Sequence, residues 1–114
     1  MVLVCGGRSF NDYRAVSTML GSLCIRPTHI VTGGCSGADK LAQKWALVHN
    51  IPCSVYSADW DMYGKSAGPR RNQAMLDDCH PELVVAFPGG RGTADMVRRA
   101  KKEDVPVAEW KPHI

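Results

Sequence analysis

Five short apolar runs, each broken by a glycine- or proline-bearing turn and separated by segments with helical spacing, constrain this chain more than any other feature. The runs are Val2–Cys5, Thr28–Thr32, Pro52–Tyr56, Glu82–Phe87 and Val105–Glu109. Most are continuously apolar rather than alternating, as in strands covered on both faces. Between them, Asp12–Cys24 carries Tyr13, Val16, Met19, Leu20 and Leu23 at helical spacing, with Asn11 or Asp12 as N-cap. Ala38–His49 puts Leu41, Ala42, Trp45 and Val48 on one face, and Pro69–Asp78 and Thr93–Lys102 complete the set. Residues 57–66, SADWDMYGKS, read as a loop. The alternation predicts an α/β fold with right-handed crossovers: a five-stranded parallel sheet with helices on both faces. Strand order 3-2-1-4-5 is expected, a Rossmann-like sheet with its switch point between strands 1 and 4.

At 114 residues the chain is expected to form one domain over 1–114. No apolar run approaches the ~20 residues of a membrane span, and no secretory leader is visible. The five cysteines are widely spaced without a C-x-x-C pair, which points to a reduced, cytoplasmic protein with no metal site and no membrane partner.

Three glycine-rich turns follow strands 1, 2 and 4: Gly6-Gly7, Gly33-Gly34-Cys35-Ser36-Gly37, and Pro88-Gly89-Gly90-Arg91-Gly92. In such a sheet, ligands bind beyond the carboxyl ends of the strands. Glycine lets backbone approach a ligand, and consecutive N–H groups at a helix start attract anions. The last turn therefore reads as a phosphate cradle, with Thr93 capping the next helix or donating its hydroxyl. The plainer alternative is three tight turns and an ordinary N-cap. GGCSGADK does not meet the P-loop pattern. The dinucleotide fingerprint is met only by Gly90 and Gly92, since Asp95 takes the third glycine position and Thr32 stands where a ribose-binding acid would be.

Arg8, Lys65, Arg70, Arg71 and Arg91 all fall in rim segments, where arginine suits bidentate phosphate contact. Arg98, Arg99, Lys101 and Lys102 lie late in a helix, where they complement its dipole and face water. Asp39 and Asp95 are candidates for ribose hydroxyls or for pairing with helix starts. Trp60 is a candidate for base stacking. His29, His49 and His80 have no visible nucleophile partner, and Cys35 sits in the second glycine loop. The ligand set read from these residues is Gly6, Gly7, Arg8, Gly33, Gly34, Ser36, Gly37, Asp39, Arg70, Arg71, Asn72, Pro88, Gly89, Gly90, Gly92 and Thr93.

With those residues laid out, GGRSF, IVTGGCSGADKLAQKWA, GKSAGPRRNQAML and VVAFPGGRGTADMVRRA together resemble the YspA-like, YpsA-related branch of the SLOG superfamily. That superfamily includes the "lonely guy" phosphoribohydrolases, long labelled lysine decarboxylases, and similar small proteins are carried by phages and mobile elements. The resemblance implies a Rossmann-like fold, a nucleotide-derived ligand such as a nucleoside phosphate or ADP-ribose, no required cofactor, and a homodimer or larger homo-oligomer. In the phosphoribohydrolases PGGxGTxxE and Arg-x-x-x-Met carry the chemistry. Pro88, Gly89, Gly90, Gly92 and Thr93 match the first, and Arg71 with Met75 the second. Met96 stands at the glutamate position. The expectation is a protein that senses, sequesters or processes such a ligand. One alternative is a nucleoside monophosphate N-glycosidase with Arg71 and Asp95 as catalytic residues. The other is a single-stranded nucleic-acid binder using the rim arginines and Trp60, which the modest charge of +3 makes the weaker partner.

Overall fold

A computed structural model describes residues 1–24 and 26–111. In chain order the elements are β1 (Val2–Cys5), α1 (Tyr13–Gly21), β2 (Ile30–Thr32), α2 (Ala38–Val48), β3 (Cys53–Val55), α3 (Trp60–Tyr63), a 3-10 turn (Gly64–Ser66), α4 (Ala67–Cys79), β4 (Leu83–Ala86), α5 (Arg91–Lys102) and β5 (Val107–Glu109). All strand pairs are parallel, in the order β3-β2-β1-β4-β5. β1 lies at the centre, with Val2 opposite both Ile30 and Leu83.

The continuous apolar runs follow from two covered faces. Along β1, Val2 and Val4 pack with Val16 and Leu20 of α1 and Ala42 and Trp45 of α2. The intervening Leu3 and Cys5 pack with Met75 and Leu76 of α4 and Met96 and Ala100 of α5. β4 and the residue after it divide the same way, Val85 and Phe87 to one core and Val84 and Ala86 to the other. Each side of the pleat thus needs an apolar residue, and full burial of one such side chain contributes roughly 1.5–3 kcal/mol. Only the edge strands β3 and β5 expose residues, at Val55 and Glu109.

Fold class and strand order match the reading of the sequence; three local features do not. The expected loop at 57–66 contains α3, because the Asp59 carboxylate accepts the Met62 N–H at 3.1 Å and starts a turn. α4 begins at Ala67 rather than Pro69, so the proline sits inside the first turn, where it forfeits no hydrogen bond. α5 begins at Arg91 with Gly90 at its N-cap. Thr93 is therefore the third helical residue and not a cap. Of the two caps considered for the first helix, Asp12 is the one used, accepting the Ala15 N–H at 3.1 Å.

Candidate functional site

The ends of β1, β2 and β4 open into a cavity of about 710 Å³, within the range of small-molecule sites. Gly6, Gly7 and Arg8 from the β1 turn, Gly33 and Asp39 from the β2 turn and α2, and Trp60 from α3 line one side. Arg71 and Asn72 from α4, and Gly90, Gly92, Thr93 and Asp95 around the start of α5, line the other. A smaller cavity of about 340 Å³, which includes Gly34 and Ser36, adjoins it and shares Arg8, Gly33, Trp60 and Arg71.

Arg71 is the best anchored cation in the cleft. Its Nη1 donates to the carbonyl oxygens of Gly33 (2.8 Å) and Tyr56 (3.4 Å), and its Nε donates to Asn72 Oδ1 (3.1 Å). The guanidinium lies so close over Gly33 that a side chain there would collide with it. These contacts fix the plane of the fork. Nη2 has no acceptor among the described residues and remains available to donate, and Arg71 lines both cavities. Asn72 is itself buried. Its Nδ2 donates to Gly92 O (3.2 Å) and Asp95 Oδ2 (3.0 Å), tying α4 to the first turn of α5.

The two acids differ in state. Burial of Asp39 is the dominant influence on it and pushes its pKa up to about 6, against the Cys35 N–H it accepts at 3.1 Å and the nearby Arg71 and Arg8 cations. Burial also acts to raise the pKa of Asp95. Hydrogen bonds from Asn72 and Arg99 (2.9 Å) and the charges of Arg99 and Arg98 outweigh it and hold this carboxyl below its usual range. Cys5, at the cleft floor, is a neutral thiol: burial, then the Asp39 and Glu109 carboxylates, push it up to about 12.

Several sequence expectations need correcting. Gly7 offers no amide to a ligand, since its N–H donates to Pro88 O (2.8 Å) while its carbonyl accepts from Phe10 and Ala38 (both 3.2 Å). Gly37 lines none of the cavities described, because it is packed against the backbone of Gly7 and Arg8. Arg70 turns away, its Nε on Ser66 Oγ (3.1 Å) and its guanidinium over the Tyr63 ring. Pro88 and Gly89 line a neighbouring cavity instead. Arg98 and Arg99 do not simply face water: both hold Asp95, and Arg98 also lines the cleft. The spacing of Asp95 to Arg98 and Arg99, three and four residues, was the available signal. Gly68 was missed as well. Trp60 lies against it while the Arg8 guanidinium sits 5.7 Å from the Trp60 ring centroid, a cation–π pair on the cavity wall.

Asp39 carries a testable consequence. A carboxyl whose folded pKa is raised contributes its stability in full below the unfolded pKa near 4, and loses it as pH rises through about 6. Asp39→Asn keeps an acceptor for Cys35 N–H without the charge. It is expected to raise stability near neutral pH by roughly 1–3 kcal/mol and to flatten the decline between about pH 4 and 7. Thermal melts of both proteins across that range check this; parallel profiles would contradict the buried-charge account.

A Rossmann-like parallel sheet with a glycine-lined, arginine-bearing cleft at its switch point defines a class of ligand-binding α/β domains, and comparison with known proteins narrows it. Residues 1–63 match the model of the YspA, cpYpsA-related SLOG family, and the chain belongs to that family. Membership goes with nucleotide-related ligands in general. The chain is also 34% identical over 119 aligned positions to the Gene 61 protein of Mycobacterium phage D29, covering 96% of this chain and 94% of the phage protein. The family match covers β1 through α3. The similarity to the phage protein is spread across the chain that also carries α4, β4 and α5. Among the described residues, no helix is long and apolar enough to cross a membrane.

Proposed function

We propose that the cleft binds a nucleotide or nucleotide-derived phosphorylated ligand. The phosphate would lie at the first turn of α5, the sugar over Gly33 and Asn72, and the base toward Trp60. One observation carries the reading. The N–H groups of Arg91, Gly92 and Thr93 have no acceptor among the described residues, and these three residues line the same cavity as Arg71, whose Nη2 also has none there. A twelve-residue helix presenting its first amides beside a fixed guanidinium suits a phosphate dianion. Lys65, Arg91 and Arg98, also on the cavity wall, add positive potential.

The N-glycosidase alternative draws less support. Met96, at the position of the glutamate in the resembled motif, is fully buried in the core. Asp95 is held ionised by three donors, so it is a poor proton donor. The basic groups converge on a cavity rather than forming the stripe a nucleic-acid strand needs.

A thermal-shift screen with nucleoside mono-, di- and triphosphates, NAD, ADP-ribose and cyclic nucleotides tests the proposal. A ligand at 100 times its Kd stabilises by roughly 2.7 kcal/mol, several degrees for a chain of this size. Folded protein with no response to any of them would overturn it. Arg91 is exposed and has no ion pair among the described residues. Arg91→Ala is therefore expected to leave the unliganded melting temperature unchanged while weakening the bound nucleotide about tenfold, the scale of one charge-assisted contact.

A further inference from the structure

Behind the first turn of α5 lies a second cavity, of about 560 Å³, which the reading above leaves empty. Its walls are the Pro88–Gly90 turn, the outer face of α5 and the end of β5. Among the described residues, three cations line it, Arg98, Lys101 and Lys111, against a single carboxylate, Glu109. Neither lysine has an ion-pair partner among the described residues. Trp110 supplies a half-buried aromatic wall, its backbone N–H donating to Ala86 O (2.9 Å) and its ring making an edge contact to Phe10 with centroids 5.6 Å apart. Cationic side chains beside a partly open indole suit a unit that is both anionic and planar, as a nucleotide is.

The two cavities are not independent. Gly90, Thr93, Ala94 and Arg98 line both, so the start of α5 is a shared wall with space on either side. Thr93 Oγ1 packs tightly on Gly89, and no residue projects from Gly90 or Gly92 to separate the two. The ridge between them is the Gly90-Arg91-Gly92 backbone, its amides without acceptors among the described residues, and the one side chain it carries, Arg91, lines the main cleft. A phosphate seated there is within reach of chemical groups in both cavities, and the combined space exceeds what one mononucleotide fills.

We infer that the full ligand is a linear dinucleotide: its linking phosphate lies on the Gly90–Gly92 ridge, one nucleoside in the main cleft and the second beside Trp110, Lys101 and Lys111. This rests on the nucleotide reading of the main cleft and extends it. The lysines touch no group assigned to the first nucleotide, so removing them should spare mononucleotide binding.

The experiment is calorimetric titration of the native protein and of a Lys101→Ala/Lys111→Ala variant with the mononucleotide that responds best in the screen. The same proteins are then titrated with 5′-phosphorylated and pyrophosphate-linked dinucleotides containing that mononucleotide, and with a ten-residue oligonucleotide. At least one dinucleotide should bind the native protein tenfold or more tighter than the mononucleotide. The variant should lose most of that gain and keep its mononucleotide affinity. Equal affinity for mono- and dinucleotides, or a variant that loses both alike, would overturn the inference while leaving the main site intact. Affinity that keeps climbing to the oligonucleotide would overturn it in favour of a nucleic-acid strand. If no mononucleotide or dinucleotide binds, the nucleotide reading and this extension fall together.

Discussion

Gly37→Val is expected to remove most of the stability of the fold, lowering the melting temperature by on the order of 15 °C or leaving no cooperative transition. Gly37 has φ +77° and ψ −129°, a conformation that side-chain-bearing residues reach at a cost of about 1–3 kcal/mol. Space is the second difficulty. A Cβ there would overlap the Gly7 carbonyl oxygen and come within 2.6 Å of the Arg8 carbonyl group, all backbone atoms. The β1 turn cannot simply withdraw. Gly7 accepts from Phe10 and Ala38 and donates to Pro88, so one residue joins the β1, β2 and β4 turns. Moving it strains three hydrogen bonds at about 1 kcal/mol each. Backbone strain and broken bonds together reach about 4 kcal/mol or more, against a total of about 5–15 for a domain. Gly92→Ala is the control. Its added methyl meets nothing within 4 Å and its φ is not positive, so the melting temperature should stay level or rise slightly. Circular dichroism melts of both proteins decide the matter, and similar curves would show that the interlocked turns are not the constraint described.

The same residues show how far the sequence could be read. The sheet was legible because its evidence is local: Val2–Cys5 and Leu83–Ala86 are uniformly apolar, and each face of the pleat has a helix to meet. The glycine turns were legible as a group, because three on one rim exceed what turn geometry needs. Their division of labour was not. Gly7 and Gly37 serve contact between turns, while Gly90 and Gly92 leave amides free, and nothing in the residue type separates these uses. Spatial partners at long sequence separation were hidden too. Arg71 meets Gly33 across 38 positions and Asn72 meets Asp95 across 23, so the anchoring of the arginine and the amide hydrogen bond to the aspartate arise only on folding. Asp39 illustrates the same limit, since a helix-start aspartate normally faces solvent and this one is 5% exposed. α3 escaped notice because four residues carry no periodicity, and only the Asp59 cap marks it.

Arg71→Ala is expected to abolish nucleotide binding, with a loss of about 100-fold or more, and to destabilise the protein without unfolding it. Two effects combine in the affinity. The free Nη2 would contribute a charged hydrogen bond to phosphate, worth roughly 1.5–3 kcal/mol. The same guanidinium also sets the cavity wall through Gly33, Tyr56 and Asn72, so its loss loosens the frame that positions the other donors. Stability should fall by roughly 1–3 kcal/mol, because three acceptors lose a donor and the buried Asp39 loses its strongest neighbouring cation. With that cation gone, the Asp39 pKa rises further. The decline in stability with increasing pH should therefore still begin near the unfolded pKa of about 4 but run to higher pH and become larger in the variant. Arg71→Lys separates charge from geometry. A lysine keeps the charge near Asp39 and should restore much of the pH profile. It has no planar fork to hold Gly33 O and Asn72 while reaching the ligand, so affinity should stay well below native. Titration calorimetry with the nucleotide found by screening, beside melts at several pH values, reads both effects. Near-native affinity in folded Arg71→Ala would move the anion's main contacts to the amides of α5 and strike Arg71 from the site.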